Sequence, residues 1–529
     1  MMSPSIDGIR PVRERRHERP LLYVLFAVVV IHAVWALIAG ISQPLIDEYS
    51  FRQTQTAISA YWLMRGGAWL AYETPVLGAP WAAPFEFPIY QLLSAGLAQI
   101  GVPLDMAGRL INFAFFMACL LPLRLLARSM RLSQTAFWFV AILFLSSPLY
   151  VYWSRTFMIE SCALFFSLLW LACLARYIET RKNLWLIAAI ISGCLGVLAK
   201  STTFPAFGLI GGISTAVVLF RSWRGGVPLP KLGATALAFA AIGCVPLVAG
   251  FVWVGYSDAV KLANPFGPHL TSAALTTWNF GTLKQRLDGT LWSNALVPRT
   301  LPQALGVLWP VTLLIILAGL ARRNVALWIA ASILGFFTPF LLFTNLYFVH
   351  AYYPYAAAIF LAAGAGIALD RIFLAKWRPI GLALLVVLVG SQLYFFHRNY
   401  AHFLFDDPNK DDVYRASMIV KASTPPNSSV LVFGVDWSSI VPYLSERKGL
   451  AMANWVADPL YGQVLADPQH FLGDRPLGAI VVCDPQLPTD PRRRAALDAF
   501  FAGRTVFGSA GRCRVLSPTV STGATPPKS

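Results

Sequence analysis

The stretch LLYVLFAVVVIHAVWALIAGISQPLIDEYSFRQTQTA, residues 21–57, decides how the chain is read. Its first twenty residues hold His32 and no acidic or strongly basic side chain. A helix of that length spans about 30 Å, the thickness of a bilayer's hydrocarbon core. Two adjacent carboxylates, Asp47 and Glu48, stand just beyond it. Side-by-side carboxylates repel each other and need partners, water or a chemical task. The apolar run follows the basic segment RPVRERRHERP, is long, and ends without an A-x-A cleavage site. It reads as a retained first helix with its N-terminus inside.

The rest of the chain agrees. Of 529 residues, 57% are hydrophobic and 13% charged, which excludes a soluble globular protein of this size. Apolar runs predict a polytopic α-helical membrane protein with about eleven spans, near 21–41, 107–128, 133–151, 158–177, 183–199, 203–220, 233–255, 303–320, 325–343, 350–369 and 379–396. Basic residues follow every even-numbered span: Arg128 and Arg131, then Arg176, Arg181 and Lys182, then Arg221 and Arg224, Arg322 and Arg323, and finally Arg371, Lys376 and Arg378. The positive-inside rule assigns these loops and residues 1–20 to the cytoplasm, and the odd exits and C-terminal part to the outer side. The net charge of +17 is therefore explained by topology, and nothing supports nucleic-acid binding.

Long outer loops are expected at 41–101 and 256–302 of a membrane domain at 21–400. In the first, FRQTQTAISAYWLMRGG predicts a helix lying on the membrane interface, and a Pro-rich turn precedes a second amphipathic helix. The second reads as irregular, with aromatic anchors. From residue 406 the texture changes: SSVLVFGV and GAIVVCDP read as strands, RRRAALDAFFAG as a helix and RTVFGSAGRCRVLS as a hairpin. Residues 406–518 are expected to form a small soluble α/β domain, and 519–529 a disordered tail. Cys119, Cys162, Cys173, Cys194 and Cys244 read as packing residues; Cys483 and Cys513 can pair if oxidised.

Candidate site residues come from several outer segments. Asp47 can accept a proton from a hydroxyl attacking an electrophilic carbon; its bland reading is an acid ending a helix. Glu48 reads as a structural partner or half of a metal or hydroxyl site. Glu160 opens a helix, where the dipole favours an acid, with Arg155 a potential partner; functionally it is a second acid facing Asp47. Lys200 is a cation on the outer side, against the charge rule. It either snorkels or binds a lipid-linked phosphate, and Arg52 is a weaker candidate for that role. His350, Tyr352 and Tyr353 can contact phosphate or sugar, or anchor the interface. Glu86 can hold a sugar or cap the interfacial helix.

The acid pair after span one, EFPIYQ, IESCALFF, LGVLAKSTTFP and HAYYPYAAAIFLAAG together resemble the GT-C glycosyltransferases. The nearest branch is shared by protein O-mannosyltransferase-like enzymes, lipid A aminoarabinose transferases and rhizobial galacturonic acid transferases. The resemblance covers roughly residues 20–400. It implies transfer of a sugar from a polyprenyl-phosphate donor to a hydroxyl acceptor (lipid, glycan or protein) on the outer face of the inner membrane. By the same resemblance Asp47 matches the first-loop acid taken as catalytic base, and Lys200 a lysine contacting donor phosphate. Glu160 stands where relatives often carry Asp. Where aminoarabinose transferases have KPPLYYW this chain has FEFPIYQ, with Glu86 in place of the lysine. Attack opposite the leaving phosphate would invert the anomeric centre. No cofactor is implied; the carboxylate pair leaves a divalent cation possible without selecting one. The alternative is a transporter or flippase of polyprenyl-linked sugars, which would require charged residues inside the spans. The span centres are nearly free of them.

Overall fold

The protein, a computed structural model, is described for residues 19–374, 378–484 and 486–520. The basic N-terminal segment, Lys376 and the expected tail from residue 521 lie outside these. The first apolar run forms helix α1, Arg19–Gly40. Val24, Ile31 and Ile38 on its outer side are exposed, as lipid contact requires. Two further helices follow, α2 (Ser50–Met64) and α3 (Ile89–Gln99).

Helices α4 (Leu104–Ala118) and α5 (Leu120–Ser129) fill the second expected span. Helices α6 (Gln134–Ser146) and α7 (Pro148–Ser154) fill the third, bent by 60° where Pro148 starts a new helix and cannot continue the old one. Then come α8 (Glu160–Thr180), α9 (Asn183–Ala199), α10 (Phe204–Arg224) and α11 (Leu229–Leu262). Segments Leu291–Leu305 and Trp309–Leu320 meet at 84°. The helices Ala326–Leu342, Ala358–Leu374 and Arg378–Asn399 complete the membrane part.

By length and composition, six helices among the described residues are fit to cross a membrane, or eight if each bent pair counts as one span. The chain is a multi-pass membrane protein. The other three expected spans correspond to the shorter helices α9, Ala326–Leu342 and Ala358–Leu374. Burial ranks the helices: 61% of the α8 span is inside the protein against 22% for α10, so α8 is central and α10 faces lipid.

Three expectations are corrected. Helix α2 does not lie on an interface: every residue from Gln53 to Tyr61 is buried. It is covered by the C-terminal part, where Thr54 Oγ1 lies 3.3 Å from Ser439 Oγ. The seventh span runs on to Leu262, so Asp258 belongs to its last turns and pairs with Lys261 at 3.1 Å. The helix of the tenth expected span starts at Ala358, not at His350. Pro354, lacking an N–H, sits in a 3₁₀ turn, Tyr353–Ala356, and leaves His350, Tyr352 and Tyr353 in a loop.

The C-terminal part is a five-stranded sheet of β1 (Ser429–Phe433), β2 (Lys448–Met452), β3 (Leu477–Cys483), β4 (Arg504–Ala510) and β5 (Cys513–Val520). Its order is β2-β1-β3-β5-β4. Strand β1 runs parallel to β2 and β3, while β5 is antiparallel to β3 and β4. Cys483 and Cys513 sit opposite each other in the register and form a disulfide. Strand β5 extends to Val520, two residues past the expected boundary. The β2 edge is not free. Gly449 and Ala451 N–H donate to the carbonyls of Pro75 (2.9 Å) and Val76 (2.8 Å), and Gly78 N–H donates to Gly449 O (3.1 Å). The loop between α2 and α3 thus adds itself to the sheet, covering an edge that would otherwise invite foreign strands.

Candidate active site

The loop after α1 is pinned from beneath. Arg109 on α4 is fully buried and donates to the carbonyls of Ile41 (3.1 Å) and Gln43 (2.5 Å). Asn112, one turn on, donates to Trp153 O (2.7 Å) and Thr156 O (3.0 Å) and accepts from Ser161 N–H (3.2 Å). These contacts bring Arg155 to Asp47: Nη2 donates to Oδ2 at 2.8 Å, with both side chains about 2% exposed or less. Gln53 Nε2 donates to the other oxygen of Asp47 and, at 3.0 Å, to the Glu48 carbonyl. Asp47 is therefore buried, with a partner on each oxygen. A carboxylate has about four lone-pair positions, so each oxygen keeps acceptor capacity.

Glu48 is different. Burial and the neighbouring Asp47 charge push its carboxyl up to about 7, against a weaker opposing pull from Arg299. Tyr49, in a left-handed conformation (φ 56°), carries the chain onward. Its hydroxyl donates to Val349 O (3.1 Å) and accepts from Ala351 N–H (2.9 Å). The acid loop is thereby tied to the loop that holds His350, Tyr352 and Tyr353.

The other predicted residues form two more ion pairs. Lys200, at the C-terminal end of α9 and 5% exposed, donates to Glu160 Oε1 at 2.5 Å. Its ammonium lies 4.2 Å from the Tyr353 ring centre and 5.0 Å from that of Tyr352, a cation held by two aromatic faces. Glu160 Oε2 is buried without a hydrogen-bond partner. Arg52 pairs with Glu86 and also donates to Gln55 Oε1 at 2.5 Å. The expected Arg155–Glu160 pair does not form: Arg155 goes to Asp47 and Glu160 to Lys200.

His350 stacks on Tyr353 and packs against Tyr49, Tyr352 and Trp278. Burial, with the charges of Lys200, Arg52 and Arg299, holds it down at about 4, so it is neutral at pH 7. Arg299 was missed by the sequence reading. It lies in a π-helical segment, Leu291–Thr300, a geometry found often at functional sites. Its Nη2 donates to the carbonyls of Tyr347 (2.5 Å) and Phe348 (2.9 Å), and its buried Nε has no partner. Among the described residues no three His, Cys, Asp or Glu side chains are grouped to hold a metal ion.

A mainly apolar cavity of about 520 Å³ lies between α8, α9, α10 and α11. Trp170, Val197, Phe204 and Gly208 line it, and Ser201, next to Lys200, lies at its wall.

The fold built around this site has known counterparts. An ArnT structure from Cupriavidus metallidurans bound to undecaprenyl phosphate matches 97% of this chain and 100% of its own, with 14% identity and a TM-score of 0.58. The apo form of the same protein matches with 13% identity and a TM-score of 0.57, over 96% of this chain and 100% of that one. The Archaeoglobus fulgidus oligosaccharyltransferase matches 87% of this chain and 68% of its own, with 12% identity and a TM-score of 0.51. The chain has the GT-C glycosyltransferase fold. Residues 91–260 also match the family model described as dolichyl-phosphate-mannose-protein mannosyltransferase. No curated protein matches the chain by sequence.

Proposed function

We propose that the chain is a membrane glycosyltransferase that takes a sugar from a polyprenyl-phosphate donor and gives it to a hydroxyl acceptor at the outer membrane face. The observation that carries this reading is the convergence, beside an apolar cavity, of a carboxylate pair and the cations Lys200, Arg52 and Arg299 around His350. An isoprenoid chain suits the cavity and a phosphate suits its cationic end. The relative bound to undecaprenyl phosphate adds support by analogy of fold.

In this reading the acceptor oxygen attacks the anomeric carbon, the C–O bond to phosphate breaks, and the acceptor proton passes to the acid pair. Asp47, fixed by Arg155 and Gln53, anchors the loop that carries Glu48. Glu48, poised near pH 7, takes the proton, because a base works best near the operating pH. This divides the pair's work differently from the sequence expectation, in which Asp47 was the base. Lys200, Arg299 and the neutral His350 N–H would face the charge developing on the phosphate. Lys200 is preheld by Glu160, so phosphate binding would loosen that pair. Attack opposite phosphate inverts the anomeric configuration. The N-terminus is cytoplasmic and the sheet domain extracytoplasmic.

Undecaprenyl phosphate binding to protein in lipid nanodiscs tests the donor half. Wild type binds; Lys200→Ala binds at least about tenfold more weakly, and Lys200→Arg retains part of the affinity because the charge survives. Equal binding by all three reduces Lys200 to a packing residue.

A further inference from the structure

The C-terminal sheet turns the carboxyl ends of its parallel strands towards the membrane site. In such sheets ligands lie beyond the strand ends where the order reverses, here between β1 and β3. The β1 strand ends at Phe433, and at the next residue, Gly434, a Cβ would lie 1.8 Å from the Cys483 carbonyl oxygen, so only glycine lets the chain leave the sheet there. The next residues, Asp436 (φ 51°) and Trp437, are set by that turn. Trp437 meets the Phe51 ring edge-on at 5.1 Å and the Phe85 ring at 5.7 Å. Phe51 and Phe85 immediately precede Arg52 and Glu86, the ion pair at the site's wall. On the other side, the Trp455 indole, after β2, stands beside the exposed Asp436 carboxylate. Trp455 is itself 37% exposed and packs at 5.0 Å against His269 of the second outer loop.

Two indoles, a carboxylate and an imidazole therefore form a rim reaching from solvent to the ion pair. Their chemistry is that of a sugar site. A pyranose has an apolar C–H face that lies on an aromatic ring and hydroxyls at its edge that donate to a carboxylate. An all-lipid ligand gains nothing from Asp436 or His269. A peptide adding to the nearby sheet edge finds β2 already paired with residues 75–78. We propose that Asp436, Trp437, Trp455 and His269 form a subsite for a saccharide of the acceptor. This rests on the glycosyltransferase reading and places the acceptor's glycan on the C-terminal domain.

The test uses full-length protein in nanodiscs on an array of bacterial envelope oligosaccharides, with undecaprenyl phosphate binding measured on the same wild-type sample. Wild type should bind at least one saccharide. Trp455→Ala and Asp436→Asn, both at the surface and expected to melt with wild type, should weaken that binding by about tenfold or more, the loss typical of an anchor residue. Trp437→Ala should do the same, with Trp437→Phe partly restoring it. No saccharide binding by wild type, or undiminished binding by Trp455→Ala and Asp436→Asn, overturns the subsite. Binding only of unglycosylated peptide or lipid also overturns it. If wild type binds saccharide but not undecaprenyl phosphate, the donor reading fails and the subsite stands as a lectin-like site.

Discussion

Replacing Glu48 by Gln should make the protein more stable and less active, with both effects tied to pH. In the folded state the Glu48 carboxyl is held at about 7 instead of 4.5. Below pH 4.5 it is protonated whether the chain is folded or not, and burial costs nothing. Between 4.5 and 7 the unfolded chain releases the proton while the folded one keeps it, so stability falls as pH rises. Above 7 the deficit is complete, about 3 kcal/mol at 1.36 kcal/mol per pH unit. Gln has the same shape and no charge. Glu48→Gln should therefore melt with wild type near pH 4.5 and resist heat better at pH 8, measured at a fixed scan rate in nanodiscs because unfolding of such proteins is often irreversible. Activity should move the other way. Wild-type kcat/KM should rise about tenfold per pH unit below 7 and level off above it. Glu48→Gln should lose that limb and fall by about 10²–10⁴-fold. A variant that keeps near-normal turnover, or shows no gain in stability at pH 8, refutes Glu48 as the poised base.

Other perturbations separate structure from chemistry. Asp47→Asn leaves Arg155 charged and unpaired in the interior, at a cost of about 3–5 kcal/mol, so its loss of activity should come with reduced abundance; Asp47→Asn with Arg155→Met should recover stability but not turnover. Arg299→Gln should weaken undecaprenyl phosphate binding while leaving the fold intact, and unchanged affinity would confine it to its two carbonyl contacts. Cys483→Ser should destabilise the sheet domain by about 3–4 kcal/mol for a loop closed over 30 residues. Alkylation without reduction should miss both cysteines in protein made in its native membrane; free thiols there would place the domain in a reducing compartment and reverse the topology.

Much of the architecture was legible because it follows from local pattern. Apolar length marks spans, and α8, α9 and α10 lie within a few residues of their expected limits. The β4–β5 hairpin was readable from alternation around Gly511, whose φ of 53° the turn requires. What was not legible depends on contacts distant in sequence. Helix α2 carries Tyr61, Trp62 and Met64 at a helical spacing, which suits an interface; nothing local says that a domain more than 350 residues on covers its polar face. Each predicted site residue was found near another, but their pairing was not readable. Arg155 lies five residues before Glu160 and chooses Asp47, 108 residues away, because Asn112 holds the intervening turn. Arg299 left little trace in a segment that reads as irregular, since a π-helical turn has no compositional signature.

The most direct test supplies purified protein with a panel of polyprenyl-phosphate sugars and an extract of envelope acceptors, and measures released polyprenyl phosphate and sugar-bearing product by mass spectrometry. The account predicts one donor consumed with stoichiometric product, inverted at the anomeric carbon, and both signals lost in Glu48→Gln and reduced in Lys200→Ala at equal protein. Consumption of no donor, together with movement of a polyprenyl-linked sugar across sealed vesicles, would contradict it and identify the chain as a carrier.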